Sequence, residues 1–239
     1  MLPRFVGRLG AADVVTVANA VVGFLAVVLA FVDVQLAARI VLLAAVLDGL
    51  DGVVARRYGG TPVGPHLDSL ADVASFAIAP AVLAFVVIAE GFDIDSTAWS
   101  VELAGIGLVC GLFVGMAVTR LGLYTAYDTA DEFTEGVQTT LAATILGAAV
   151  LAGVTDPWLI LGATVAFCYL MVARIRYPDL LARDAMIMGV VHVLAILIPE
   201  AAGRTFPYAL LTLGIAYLTL GPLLYWRGGA FASKVYGNA

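Results

Sequence analysis

The chain is acidic and strongly apolar, and this combination excludes most classes of soluble protein. Of its 239 residues, 62% are hydrophobic and only 13% are charged, and the mean hydropathy is +1.03. Such a composition indicates a polytopic membrane protein. The sequence contains no nucleic-acid-binding motif, no P-loop and no serine nucleophile elbow, so we expect no nucleic-acid partner.

Eight hydrophobic runs have about the length of a membrane-spanning helix, and we predict one helix for each. The fold is therefore predicted to be all-α, a polytopic membrane protein with a single domain over residues 1–239. The predicted helices are residues 13–31, 36–57, 67–88, 98–123, 137–154, 157–175, 180–198 and 208–226.

The distribution of basic residues predicts how this bundle is oriented. If the eight helices alternate in direction, both termini lie on one side of the membrane. All of the 12 lysines and arginines then fall on that side, except Arg39 and Arg204. Because cytoplasmic loops are enriched in basic residues, we predict that both termini are cytoplasmic.

The first predicted helix carries one amide side chain, Asn19, in an otherwise apolar run. An amide in this position can hydrogen-bond a neighbouring helix or contact a ligand, and both interpretations stay open. Asp13 lies in the first turn of the same helix, where the helix dipole favours an acid.

Four acids are concentrated around the connection between the second and third predicted helices. Asp48 and Asp51 are three residues apart, and Asp68 and Asp72 are four apart. Each pair therefore shares one face of a helix. A short connection at 57–65, rich in Gly and Pro, can turn the two acidic faces toward each other.

Four carboxylates in a medium of low dielectric constant require a counter-charge. Hard divalent cations such as Mg²⁺ bind carboxylate oxygens, usually together with phosphate oxygens. Two such ions about 3.5–4 Å apart are the usual arrangement for displacement at phosphorus. Arg56 adds a fixed positive charge that suits a phosphate. The alternative is that the acids form ion pairs, for which only Arg56 and Arg57 are near in sequence.

This acidic motif closely resembles the signature of the CDP-alcohol phosphatidyltransferases. The connection between Arg56 and Gly64 has seven residues, which is shorter than is usual in the family. The stretch LDSLADVASF is similar to the phosphatidylserine synthase branch, and Val73 stands where the sugar-phosphate branches tend to be basic. The resemblance rests on Asp48-x2-Asp51-Gly52-x2-Ala55-Arg56 and Gly64-x3-Asp68-x3-Asp72.

The resemblance implies a membrane enzyme that transfers a phosphatidyl-type group from a CDP-activated lipid to an alcohol and releases CMP. It implies two divalent cations, Mg²⁺ or Mn²⁺, and a catalytic role for Asp72 as acceptor of the hydroxyl proton. The implied metal ligands are Asp48, Asp51, Asp68 and Asp72. The implied CDP-lipid-binding residues are Asn19, Gly52, Ala55, Arg56 and Gly64.

The acceptor alcohol is predicted to be L-serine. Arg120, which ends the fourth predicted helix, resembles an arginine of the serine synthases and could bind the serine carboxylate in a bidentate manner. The alternative is that Arg120 only anchors the helix at the membrane surface. The following polar loop, 124–138, is similar to a Phe-x-Gly-x-Pro stretch of that branch, with Gln138 in place of Pro. We interpret this loop as a lid.

Two other functions stay open. Glycerol phosphate or inositol phosphate is the alternative acceptor for the same chemistry. A cation-coupled small-solute transporter is the alternative from another class, although its site would be expected near the membrane midplane. The acidic composition, with one lysine and eleven arginines, agrees with a salt-adapted archaeal source, but a GC-rich genome would give the same arginine bias. CDP-archaeol and CDP-diacylglycerol therefore both stay open as the donor. The bilayer and a second copy, in a homodimer, are further predicted partners.

Overall fold

The structure is a computed structural model that describes residues 7–128, 133–178, 180 and 182–225, and these are mostly helical. Arg4, Arg227 and Lys234, which contribute to the predicted orientation, lie outside the described residues. The α-helices are α1 (Ala11–Ala30), α2 (Val34–Tyr58), α3 (Gly64–Asp72), α4 (Ala79–Gly91), α5 (Val101–Leu123), α6 (Thr139–Ala152), α7 (Pro157–Leu170), α8 (Ala182–Leu197) and α9 (Thr205–Leu224).

Among the described residues, four helices are long and apolar enough to cross a membrane. Two further apolar helices, α6 and α7, are shorter. Helix α2 is long, but it carries two acids and three arginines. The predicted number of eight spans therefore stays a prediction. The four helices are Ala11–Ala30, Gly64–Gly91, Val101–Tyr127 and Thr205–Leu224.

The long helix Gly64–Gly91 contains a wider turn in its middle. Residues Val73–Ile78 form a π-helical segment that joins α3 to α4. Within it, Ser75 Oγ donates a hydrogen bond to the Asn19 carbonyl oxygen at 2.9 Å. A Cβ atom at Gly23 would lie only 2.6 Å from Ser75 Oγ, so α1 packs very closely against this segment. Such π-helical turns are frequent at functional sites, and this one begins directly after Asp72.

Contacts between chain connections show that the helices run up and down between two ends. At one end, Thr61 Oγ1 donates to Asp13 Oδ2 at 2.7 Å, and the hydroxyls of Ser69 and Thr125 are 2.7 Å apart. At the opposite end, Gln35 Nε2 donates to the Val150 carbonyl oxygen at 2.8 Å. We call the first the acidic end, because the motif aspartates flank Thr61, and the second the far end.

Helix α6 lies at the centre of the bundle. Every residue of α6 except Thr140 is buried, and the helix packs against α2 and α9. Its residues are mostly small, so that neighbouring backbones approach closely. The side chain of Leu42, for example, lies 3.4 Å from where a Cβ atom at Gly147 would be. The other helices are arranged around this core.

A small β-ribbon at the acidic end is added to the predicted helical fold. Strands β1 (Phe133–Glu135) and β2 (Arg176–Pro178) pair antiparallel, with Thr134 opposite Tyr177. Helix α7 accordingly ends at Leu170 and not at 175 as predicted. Gly136 follows β1 with a φ of +76°. A Cβ atom there would collide with the Met171 carbonyl oxygen, so the turn requires glycine.

Hydrogen bonds attach the ribbon to α9. Tyr177, which is almost completely buried, donates through its hydroxyl to the Leu218 carbonyl oxygen at 3.1 Å. The Tyr217 hydroxyl donates to the Pro178 carbonyl oxygen at 2.7 Å. The ribbon therefore joins the connections α5–α6 and α7–α8 to the last helix.

Candidate active site

Three of the four motif aspartates meet at the acidic end. Asp48 comes from the last part of α2, and Asp68 and Asp72 come from α3. One carboxylate oxygen of each lies within 4.8 Å of the others. The two acidic faces therefore do turn toward each other across the short α2–α3 connection.

Asp51 lies beside this group of three but outside it. Its side chain is buried, and its Oδ2 accepts a hydrogen bond from Thr16 Oγ1 of α1 at 2.7 Å. Because Thr16 belongs to a different helix, this bond fixes the direction of the Asp51 carboxylate. The predicted role of Asp51 as a metal ligand stays a prediction.

The three carboxylates line a cavity of about 210 Å³. The cavity is bounded by α2, α3, the end of α5, strand β1 and the start of α6. Hydroxyl groups of Ser69, Thr134 and Thr140 belong to its lining. Thr140 is the residue of α6 that is not buried, and it lies in this lining beside the Asp48 carboxylate.

Arg120 brings a positive charge into the same cavity. Its side chain is only 7% exposed, and Nη2 donates to Thr134 Oγ1 at 3.0 Å. The guanidinium also lies 5.1 Å from the ring centre of Tyr124. Its charge attracts both Asp48 and Asp72 and so offsets part of the repulsion among the carboxylates. Arg120 is thus a buried cation of the cavity, and its predicted role in acceptor binding stays a prediction.

The donor atoms in this cavity fit a hard divalent cation. Carboxylate oxygens are the ligands that Mg²⁺ and Mn²⁺ prefer. Asp72 Oδ1 is buried and has no hydrogen-bond partner among the described residues. A buried carboxylate oxygen of this kind requires a cation or a proton. Asp48, Asp68 and Asp72 are therefore the residues that could hold a metal ion.

The residues predicted to bind the CDP-lipid lie around the cavity but outside its lining. Asn19 is 1% exposed, and neither its side-chain nitrogen nor its oxygen has a partner among the described residues. Gly52 and Ala55 are half-buried on α2, and Arg56 is exposed. An orphaned buried amide is unusual in a folded protein, so Asn19 keeps both interpretations open.

Packing explains why position 64, in the shortened connection, is a glycine. A Cβ atom at this position would lie 3.3 Å from Asp13 Oδ1. Asp13 is itself buried and accepts hydrogen bonds from the Gly10 backbone and from Thr61, both at 2.7 Å. The acid predicted for the first turn of α1 thus also holds the α2–α3 connection against that helix.

Sequence reasoning overlooked three threonines of the site. Thr16 hydrogen-bonds Asp51 and Thr134 hydrogen-bonds Arg120, whereas Thr140 lies in the cavity lining beside Asp48. Threonines are common in membrane helices, and their sequence positions alone gave no indication of these contacts.

Comparison with a family model now identifies the class of protein. The model described as CDP-alcohol phosphatidyltransferase matches residues 9–175, which is more than half of the chain. The chain therefore belongs to the CDP-alcohol phosphatidyltransferase family. The matched region includes all four motif aspartates, Arg120 and the first strand of the ribbon.

Individual relatives point to one branch of that family. The chain is 30% identical over 171 residues to the archaetidylserine synthase of Methanothermobacter thermautotrophicus, covering 70% of this chain and 68% of that enzyme. It is 32% identical over 155 residues to the CDP-diacylglycerol–serine O-phosphatidyltransferase of Helicobacter pylori, covering 60% of this chain and 61% of that one. The Bacillus subtilis enzyme of the same name is 27% identical over 167 residues, covering 69% of this chain and 87% of the relative.

Proposed function

We propose that the chain transfers a phosphatidyl-type group from a CDP-activated lipid to L-serine, in membrane phospholipid biosynthesis. The observation that carries this proposal is one cavity in which three carboxylates and a buried arginine meet. The names of the relatives, all serine transferases or an archaetidylserine synthase, support the same acceptor.

In the proposed reaction, the serine hydroxyl oxygen forms a new bond to the phosphorus attached to the lipid, and the bond from that phosphorus to CMP breaks. Asp72 accepts the hydroxyl proton, since its buried Oδ1 is available among the described groups. Asp48, Asp51 and Asp68, together with Asp72, would hold the divalent cations. When bound, these ions neutralise the diphosphate and make the phosphorus more electrophilic.

The donor is proposed to bind on the α1–α2 side of the cavity. The exposed guanidinium of Arg56 suits a diphosphate oxygen, and Gly52 and Ala55 leave space along α2. The orphaned amide of Asn19 would gain a hydrogen-bond partner from the nucleotide or a phosphate. Gly64 acts indirectly, because it lets the α2–α3 connection pack on Asp13.

The acceptor is proposed to bind at Arg120. A phosphorylated acceptor would bring about two negative charges and would need further basic groups. Arg120 is the one arginine among the described residues that line the cavity. The single carboxylate of serine needs only one such partner, which can bind it through two parallel N–H groups.

The arginines between the end of α7 and the first turn of α8 do not change this conclusion. Arg176 bonds to Glu135 at 3.2 Å and lies over the Phe133 ring at 4.7 Å. Arg183 bonds to Asp184 at 3.1 Å, and Arg174 is exposed. These side chains lie outside the cavity lining, so we find no support for glycerol phosphate or inositol phosphate as acceptor.

The remaining parts of the proposal concern the surroundings of the enzyme. We infer a multi-pass membrane protein of eight spans, with both termini and the acidic end at the cytoplasm, where CDP-lipid head groups and serine are accessible. A single domain over 1–239, a homodimer and CDP-archaeol or CDP-diacylglycerol as the donor are predictions. The interpretation of 124–138 as a lid does not hold for Phe133–Glu135, because this strand is paired with Arg176–Pro178. Residues 129–132 of that loop lie outside the described part. A transporter is disfavoured because the acids lie at one end of the bundle.

The test is to offer the purified chain CDP-archaeol or CDP-diacylglycerol together with each acceptor and to identify the lipid product by mass. We expect archaetidylserine or phosphatidylserine, with release of CMP. Faster formation of a phosphorylated lipid from glycerol 3-phosphate or inositol phosphate would contradict serine as acceptor. Absence of CMP release, with cation-driven solute uptake in vesicles, would favour the transporter.

A further inference from the structure

The hydroxyl group of Thr134 contacts the arginine that we propose as the acceptor-binding residue. Arg120 and Thr134 are both buried, at 7% and 3% exposure, and Nη2 of the arginine donates to Oγ1 of the threonine at 3.0 Å. Thr134 also belongs to the cavity lining. A hydrogen bond to a charged group in such a setting is stronger than one between neutral groups.

Thr134 is itself held in place by the β-ribbon. It lies in the middle of β1, opposite Tyr177 of β2. Tyr177 is fixed to α9 through its hydroxyl, and Gly136 brings the ribbon against the end of α7. The oxygen that accepts from Arg120 is thus on a rigid element and not on a freely moving loop.

The guanidinium needs such a fixed partner because two carboxylates of the cavity attract it in another direction. Asp48 and Asp72 both attract the Arg120 charge. An arginine side chain has many rotamers, and ordering it during binding reduces affinity. A guanidinium drawn onto the aspartates could not present two parallel N–H groups to an incoming carboxylate.

We propose that Thr134 is a positioning residue that orients Arg120 toward the carboxylate of the acceptor. This inference rests on the proposed function, because it assumes that Arg120 binds serine. It assigns a role in acceptor specificity to the β-ribbon, which otherwise only connects helices.

The experiment compares three variants of the full-length protein in detergent with saturating CDP-lipid. Thr134→Val keeps the shape of the side chain but removes the acceptor oxygen, and Thr134→Ser keeps the oxygen. For Thr134→Val we expect roughly a tenfold rise in KM for serine, with KM for the CDP-lipid changed less than about twofold. Thr134→Ser should retain most of the affinity that the wild type has for serine. Thr212→Val, on the exposed face of α9, is the matched control and should behave as wild type.

A second measurement separates positioning from a general structural role. If Thr134 acts through Arg120, adding Thr134→Val to Arg120→Ala should raise KM for serine little further, because neighbours that act together are not additive. If the two substitutions raise KM for serine independently, so that their factors multiply in the double variant, the proposal is wrong. If Thr134→Val does not fold, Thr134→Ala can be compared with Thr134→Ser instead. The alanine side chain is smaller than valine, so water can reach the buried guanidinium and the protein should still fold.

The outcomes for the two proposals are distinct. The wild type alone decides the proposed function, because the mass of its product identifies the acceptor. If the wild type makes a serine lipid while Thr134→Val leaves KM for serine unchanged, or raises both Michaelis constants equally, only the positioning role is overturned. If the wild type makes no serine lipid, the proposed function and this inference are both overturned.

Discussion

The two ends of the bundle use their polar side chains in different ways. At the far end, polar groups mostly serve the helix on which they lie. Asp33 caps α2 by accepting from the backbone of Gln35 and Leu36, at 2.9 and 3.0 Å. Ser100 and Asp156 cap α5 and α7 in the same way, both at 3.0 Å.

At the acidic end, the hydrogen bonds connect different helices and strands. Thr16 bonds to Asp51, Thr61 bonds to Asp13, and Arg120 bonds to Thr134. Helices α3 and α6 begin there without a side-chain cap. The difference shows that polar residues at the far end define where helices begin, whereas those at the acidic end define a site. Variants at the two ends should therefore affect different measurements.

The largest effect should come from removing the metal. Because Asp48, Asp68 and Asp72 lie within 4.8 Å of one another, their charges require a cation for the donor to approach. Chelation by EDTA should abolish CMP release, and Mg²⁺ or Mn²⁺ should restore it. EDTA should not change the melting temperature of variants in which a far-end helix cap is altered, namely Asp33→Asn and Ser100→Ala. Full activity after exhaustive chelation would contradict a metal-dependent site.

The next largest effect should come from changing one aspartate to asparagine at each end. Asp48→Asn or Asp72→Asn should lower kcat on the order of 10²-fold or more, because each removes a charge or a base from the site. Asp33→Asn at the far end should retain activity and stability, since asparagine caps a helix as well as aspartate does. CMP release and thermal unfolding measure the two properties. Equal losses of activity at the two ends would remove the distinction between them.

Arginines at the two ends provide a third comparison. Arg120→Ala should weaken serine binding by about 1.5–3 kcal/mol, which corresponds to roughly a ten- to hundredfold rise in KM for serine. KM for the CDP-lipid should change much less. Arg204→Ala removes a far-end ion pair with Glu200, whose carboxylate is 65% exposed, and should leave both constants unchanged. A rise in KM for the lipid alone would place Arg120 in the donor site.

A smaller effect is expected for hydroxyl groups. Thr16→Val removes the hydrogen bond that directs Asp51 and should lower kcat about three- to tenfold, while Thr16→Ser should be nearly normal. Thr97 makes a comparable bond to Asp95 in an exposed far-end turn, and this bond lowers the pKa of Asp95 by favouring its charged form. Thr97→Val should leave kcat unchanged. An unchanged kcat in Thr16→Val would show that Asp51 needs no such support.

The smallest effect on activity should come from a far-end cap. Ser100→Ala leaves the Leu103 N–H without its side-chain acceptor and should cost about 1 kcal/mol of stability. The melting temperature in detergent should fall by a few degrees, while kcat and both Michaelis constants stay at their wild-type values. A change in KM for serine would mean that the two ends are coupled through α5.

The sequence predicts the parts of this molecule that depend on local patterns. Apolar runs predict the order of the helices, and the i, i+3 and i, i+4 spacings correctly predict that the acidic faces of α2 and α3 meet. Strands as short as Phe133–Glu135 show no alternating pattern, so the ribbon could not be predicted. The π-helical turn after Asp72 has no sequence signature either.

Long-range partners are the other part that could not be predicted. An arginine at a helix end normally lies at the membrane surface, but Arg120 is buried and hydrogen-bonded to Thr134 of the ribbon. The bond from Thr16 to Asp51 joins residues 35 positions apart. No spacing rule covers such a distance, because it depends on how whole helices pack.

The burial of α6 also constrains how the protein is made. A helix whose residues are all buried except Thr140 has almost no surface to offer to lipid. It cannot be inserted sideways into a finished bundle, so its neighbours must close around it. In chain order α6 precedes α8 and α9, and it contacts α9 extensively. Since chains emerge from the ribosome N-terminus first, α6 is synthesised before the hairpin of α8 and α9 that completes its burial. A chain cut short before α9 should therefore expose α6 and become a target for membrane quality control.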